Sequence, residues 1–292
     1  MKFISLFVRV LALVAIFPSV TAATAGAATA CVWRVTNAKA PFYLVGTMHS
    51  LSGTDYPLRA PYKEALRNSE RFVFEYNPKQ DREFSKKFDA AGMYSKGTDI
   101  RSHIHPQTFQ YLVRSFQLSS IDPHQFLPYR AWAIAGLWGV HGYGNIRSAY
   151  GVDNFFVEQA ERAHKEIAGI ETVDEHVAVL SGMSDIESEL ILLDSILRYN
   201  KNLNHSDYRQ MHDAWRCGDV AAMWTQEQRS RKINPGGEAR LLDFRNVKWV
   251  PRIRQELDTG KPTSIVVGAG HMLGPNGIIS LLERNGYKFE QL

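Results

Sequence analysis

Cysteine is scarce in this chain: Cys31 and Cys217 are the only two in 292 residues. That excludes a disulfide-dense scaffold, and two cysteines cannot complete a structural zinc site by themselves. No internal repeat and no low-complexity linker follows the first 30 residues, so solenoids and flexible arrays are poor readings. Lysine and arginine are scattered and form no block of the kind that tracks phosphates, which argues against nucleic acid as a partner. After the N-terminal region, no segment is long and apolar enough to span a bilayer, which needs about 20 residues. What remains is an ordinary globular composition, 45% hydrophobic and 22% charged, enough for a sizeable core.

The first 30 residues read as a secretory signal peptide. Lys2 and Arg9 give a basic start, Val10 to Phe17 is a short apolar run, and Ala28-Thr29-Ala30 is a small-residue cleavage site. The expected location is therefore periplasmic or secreted, with the fold in residues 31–292. Removing the leader takes out two cations and no acid, so the formal charge falls from +4 to +2. Cys31 then stands at the new N-terminus. It is a candidate for lipid attachment, the one expected link to a membrane, although Ala28 stands where a lipobox usually has Leu. A disulfide with Cys217 is the rival reading, and spacing alone does not choose between them.

Short β-branched or aromatic runs predict strands at Val32–Val35, Phe42–Val45, Arg71–Phe74, Glu166–Ile170, Ser264–Val267 and Tyr287–Glu290. Helices are expected at Pro61–Asn68, Pro106–Phe116, Tyr129–Val140, Asn154–His164 behind an Asp153 N-cap, Asp174–Leu180, Ile186–Asn200, Ser206–Arg216, Ala221–Arg229, Gly237–Leu257 and Ile278–Asn285. Strands separated by helices imply an α/β fold with a mixed, mostly parallel sheet, an opening hairpin and a closing β-α-β. The stretch of about 174–257 is too large for a simple crossover and reads as a helical insertion that could cap the sheet.

Four strands run into polar residues. Phe42-Tyr-Leu-Val leads to Gly46-Thr-Met-His49, Arg71-Phe-Val-Phe to Glu75, Ile167-Ala-Gly-Ile to Glu171, and Ser264-Ile-Val-Val to Gly268-Ala-Gly-His271. Ligands of open α/β sheets bind outside the carboxyl ends of the strands. If these strands are parallel neighbours, two imidazoles and two carboxylates meet on one edge. Such a set suits Zn, Mn, Fe or Co with an activated water, or a metal-free general base with orienting acids. Glu75 has the alternative of a solvated strand end, and Glu171 that of capping the next helix. Arg245 falls inside the apolar stripe of Leu242, Trp249 and Ile253, so it must be paired or lie in a cavity. Its candidate partners are Glu75, Glu171, Asp153 or a substrate anion.

Two patterns read as decoys. Ile265-Val-Val-Gly-Ala-Gly-His271 resembles a dinucleotide fingerprint, but only one β-α-β unit fits between it and Leu292, too little for the rest of such a domain. His103-Ile-His105 resembles a metal-binding pair, yet it precedes Pro106 and reads as the loop leading into a helix.

Taken in order, six blocks resemble the TraB/GumN group, which includes pheromone-shutdown proteins and the animal Tiki proteases. They are Trp33 to His49, Phe72 to Glu75, Gly151-Val-Asp153, Gly169 to Thr172, Arg245-Asn246, and Val267 to His271 with Gly274, Gly277 and Gly286-Tyr287. Ile170 stands where Leu is usual, and Phe244 where a polar residue often precedes Arg-Asn. The resemblance implies an erythromycin-esterase-like, ChaN-like α/β core. From the Tiki branch it implies a metalloprotease with paired Gly-x-x-His motifs, a glutamate and Mn or Co. Carried over, it marks His49, Glu75 and His271. The combined expectation is an exported hydrolase of peptide, amide or ester bonds. His49, His271 and Glu75 would hold a divalent metal (Mn, Co or Zn), and Glu75, Glu171 and Arg245 would carry the chemistry. A small molecule is the other expected substrate class. The rival expectations are a metal-free esterase using a histidine base and a non-catalytic binder of haem or peptide.

Overall fold

The computed structural model describes residues 29–139, 145–200 and 204–292. The leader reading of residues 1–28 and the expected helix end at Val140 lie outside them. Six strands form one sheet: β1 Val32–Val35, β2 Phe42–Thr47, β3 Arg71–Phe74, β4 Glu166–Gly169, β5 Thr263–Gly268 and β6 Phe289–Gln291. Their order is β4-β3-β5-β2-β1-β6. The central pairs β3/β4, β3/β5 and β2/β5 are parallel, and β1 pairs antiparallel with β2 and with β6. This is the expected mixed α/β sheet. The last strand departs from the expected closing β-α-β. It crosses to the far edge and pairs with the opening hairpin, so the two ends of the fold meet through Ala30 N–H to Leu292 O.

Every residue of β2 and β5 is buried. A strand covered on both faces reads as a continuous apolar run, which is why Phe42-Tyr-Leu-Val and Ser264-Ile-Val-Val do not alternate. The described α-helices are, in chain order, α1 Ala60–Asn68, α2 Asp81–Ala91, α3 Pro106–Leu118, α4 Ala131–Gly139, α5 Val152–Arg162, α6 Val173–Ser181, α7 Asp185–Asn200, α8 Asn204–Cys217, α9 Val220–Ile233, α10 Pro235–Glu238, α11 Phe244–Asp258 and α12 Ile278–Glu283. Helix α2 was absent from the sequence reading. The segment read as one helix from Gly237 is interrupted by a π-helical turn, Ala239–Asp243.

Helices α1, α5 and α11 pack on the sheet. Between β4 and β5 lie α6 to α11, but α7 packs on α3 and α4 in a second apolar cluster around Phe116, Ile134 and Leu192. Helix α8 returns to the sheet through Trp215, whose indole N–H donates to Gly46 O at 2.9 Å. Cys31 is fully buried, with Sγ 3.7 Å from Met223 Sδ, while Cys217 is exposed, and both are free thiols. No helix among the described residues is long and apolar enough to cross a membrane.

Candidate active site

Parallel pairing puts the carboxyl ends of β2, β3, β4 and β5 on one edge of the sheet. Following them come His49, Glu75, Glu171 and His271, so residues 49 and 271 reach one site through the order β4-β3-β5-β2. A cleft of about 480 Å³ opens there, lined by His49, Glu75 and Asp153 and walled by Tyr76, Phe84 and His176.

The two Gly-x-x-His turns are built differently. In the first, the side chain of His49 is 65% exposed. Its Nδ1 lies 2.9 Å from Asp153 Oδ2, and Thr47 Oγ1 donates to Asp153 Oδ1 at 2.8 Å. Asp153 comes from the first turn of α5, which Gly151 caps. A Cβ on Gly151 would lie 2.4 Å from His49 O, so only glycine lets α5 start this close to the turn. The expected N-cap role of Asp153 is therefore replaced by an orienting one. A carboxylate at Nδ1 fixes the proton there and turns Nε2 toward the cleft. Asp153 also raises the His49 pKa to about 9 against the opposing effect of burial. Solvent access to the ring weakens that pull.

In the second turn, His271 is 2% exposed and lies against the Trp249 ring at 4.4 Å. Asn246 Oδ1 sits 2.7 Å from Nδ1, and the Asn246 amide NH2 donates to the Asn276 and His271 carbonyls. Those donations fix the amide, so its oxygen faces His271 and Nδ1 carries the proton. Nε2 then accepts from Arg245 Nη1 at 3.1 Å. Burial lowers the His271 pKa to about 3, so the ring is neutral.

Arg245 links the rest. Its Nη2 lies 2.6 Å from both Glu75 Oε2 and Glu171 Oε1, and Arg245 is stacked on Trp249 with 4.4 Å from Cζ to the ring centroid. Two of the three expected carboxylate partners are engaged at once, while Asp153 pairs with His49 instead. Burial alone would raise the Glu75 pKa, but the Arg245 guanidinium holds it well below the usual carboxylate range. The free oxygen of this ion pair, Oε1, accepts from Gly268 N at 3.0 Å. Glu171 is 8% exposed and saturated: Trp249 Nε1 donates to it at 2.9 Å, and His176 Nδ1 lies at 2.6 Å. It does not cap α6. Thr172 and Glu175 do so in a capping box.

His176, on α6, was missed from the sequence. Its only signal there is a place on a helix face five residues after Glu171. Its Nδ1 proton goes to Glu171, which leaves Nε2 for a ligand in the cleft that it lines. His49 with Asp153 and His176 with Glu171 are thus two imidazole–carboxylate dyads, with Glu75 between them. His103 and His105 have other tasks. His103 Nδ1 is 3.0 Å from Asp185, and His105 caps α3.

Two places could suit a metal. Among the described residues, the group of three potential ligands within 4.8 Å is Glu75, Glu171 and His176. Arg245 Nη2 already stands among them, at 2.6, 2.6 and 3.1 Å, so that trio fits a metal only if the guanidinium withdraws. The other place lies between His49 Nε2 and Glu75 Oε1, 4.0 Å apart. Gly268 keeps it open. A Cβ there would be 3.2 Å from His49 Nε2 and 3.4 Å from Glu75 Oε1. An imidazole nitrogen backed by a carboxylate, beside an ionised glutamate, is a donor set that fits Mn, Co or Zn. His271 Nε2 is 3.7 Å from Glu75 Oε1, but its lone pair is spent on Arg245.

Residues 31–291 match the model of the TraB/PrgY/gumN family. The chain belongs to that family. Members resembling it include the "Metalloprotease TIKI homolog" of Nematostella vectensis, 26% identical over 165 residues, or 48% of this chain and 35% of that protein. The matched stretch thus spans about a third of that relative. The "Uncharacterized protein YbaP" of Escherichia coli K12 is 23% identical over 249 residues, covering 82% of this chain and 87% of YbaP. No solved structure matches the chain. The family and its metalloprotease relative hint at a hydrolase.

Proposed function

We propose that the chain hydrolyses a peptide, amide or ester bond in the cleft beside His49 and Glu75, with a divalent cation as cofactor. The observation that carries this reading is the open space at Gly268, bounded by His49 Nε2 and Glu75 Oε1. His49 and Glu75 would hold the ion, and Mn, Co and Zn are the candidates. When bound, it would polarise the substrate carbonyl and lower the pKa of water. The chain's own groups account for the rest. Asp153 fixes the His49 tautomer, and Arg245 keeps Glu75 ionised. His176 is placed to take a proton at Nε2, with Glu171 orienting its ring. Tyr76 and Phe84 offer apolar surface to the group beside the scissile bond. Export follows from the leader reading and would be checked by N-terminal sequencing of the mature protein.

The test is hydrolysis of a peptide library, with and without chelator, alongside metal analysis. The reading expects loss of activity on chelation, recovery with Mn, Co or Zn, and loss in His49→Ala. Activity unchanged in both His49→Ala and His271→Ala would reject it. One observation favours a metal-free variant of the same chemistry: Arg245 Nη2 already supplies a cation to Glu75 and Glu171. There the His49–Asp153 dyad would act as the base, and the chelated protein would stay active.

A further inference from the structure

Arg245 also borders a second cavity, of about 220 Å³, between α6 and the segment from the π-helical turn into α11. His49, Glu75 and His176 do not line it. Arg240, Phe244 and Lys248 follow at i, i+4 and i+8 along one wall, with Ala178 and Val179 opposite. The charges here are not balanced. Arg252 is matched by Glu175 at 2.7 and 3.0 Å, and Arg245 by Glu171. Lys248 has no carboxylate partner among the described residues. Arg240 has only a long pairing to Glu187 at 3.7 Å, and its Nε is buried with no hydrogen-bond partner. A buried donor left this way carries a desolvation cost, and the Arg240 charge has no close counter-ion to offset it. Phe244 is 57% exposed beside these cations, so the cavity offers apolar surface as well as charge. The π-helical turn, with Phe244 N–H reaching Ala239 O, sets the position of Arg240 and Phe244. Such turns are rare and often mark functional sites.

We propose that this cavity binds a small organic anion, a carboxylate on a flat or branched apolar body, separately from the reaction at His49. The carboxylate meets Lys248 and Arg240, and the body rests on Phe244 and Val179. The cavity volume limits the ligand to roughly the size of one aromatic ring with its acid group.

Titration of the purified chain with benzoate, followed calorimetrically, tests the assignment. Benzoate should bind saturably, and neutral benzamide about tenfold or more weaker. Lys248→Gln should weaken benzoate severalfold, and Lys248→Gln with Arg240→Gln about tenfold or more, while His49→Ala leaves it unchanged. Lys248 is exposed, so the single variant decides the matter if the double variant fails to fold. Equal affinity for benzoate and benzamide, no saturable binding up to about 10 mM, or loss in His49→Ala but not in Lys248→Gln would overturn the proposal. None of these outcomes depends on whether the cleft hydrolyses anything.

Discussion

The two Gly-x-x-His turns look alike in sequence and differ in almost every physical respect. His49 is 65% exposed at its side chain, backed by Asp153, and shifted upward. His271 is 3% exposed at its side chain, backed by a neutral amide, and shifted downward. One turns its Nε2 toward the cleft. The other gives its lone pair to Arg245. The lesson is that a repeated motif need not repeat a role: the partner at Nδ1 and the depth of burial decide what the ring can do.

The largest expected effect breaks the link between the two turns. Arg245→Met leaves Glu75 and Glu171 facing each other in the interior without their shared cation. The expected cost is about 3–5 kcal/mol, read from denaturant unfolding, because removing one partner of a buried ion pair strands the others. His49→Ala should separate activity from stability. Turnover should fall by about 10²–10⁴, while stability falls far less than in Arg245→Met, because the His49 side chain is 65% exposed and its pairing with Asp153 is screened. The same change at His271 should cost stability as well, through the lost contacts to Trp249, Asn246 and Arg245.

A pH experiment sharpens the contrast. His271 has a folded pKa near 3, below that of an unfolded histidine near 6.5. Below pH 6.5 the unfolded chain binds a proton that the folded one refuses, so stability is full above 6.5 and falls as pH drops toward 3. His271→Gln should flatten the slope of stability between pH 6 and 4 by up to about 1.4 kcal/mol per pH unit. For His49 the sign reverses. Its raised pKa makes a contribution present below about 6.5 and lost as pH rises through about 9. Asp153→Asn should move the His49 NMR titration downward, toward the free value. Smallest is Glu175→Gln at the cavity beyond Arg245. Glu175 is held at about 2, first by its hydrogen bonds to Arg252. Its contribution is present above about 4.5 and fades as pH falls toward 2, but solvent screening limits it to about 1 kcal/mol or less in thermal unfolding.

The convergence of Glu75, Glu171, His49 and His271 was legible because each comes within three residues of a strand's carboxyl end, and parallel pairing places such residues together. Arg245 was legible as a charge inside an apolar stripe, and it pairs with two of its three candidate carboxylates. His176 was not. It lies within His-Val-Ala-Val on a helix, and only the packing of α6 against Glu171 gives it a task. Asp153 was read as an N-cap because acids favour helix starts, but Gly151 takes the cap and frees the carboxylate for His49. Helix α2 escaped notice because Asp81 to Ala91 is mostly polar, with Phe84 and Phe88 as its large apolar residues. Those two, at i and i+4, were the available signal, and Phe84 lines the cleft.

The account is tested most directly at Gly268. Its φ of −50° and ψ of 137° suit alanine, so Gly268→Ala adds one methyl group without backbone strain. That methyl would sit 3.2 Å from His49 Nε2 and 3.4 Å from Glu75 Oε1. Hydrolysis and metal content should both be lost in a protein that melts like the parent. A Gly268→Ala protein that keeps its full activity would contradict the placement of the reaction between His49 and Glu75.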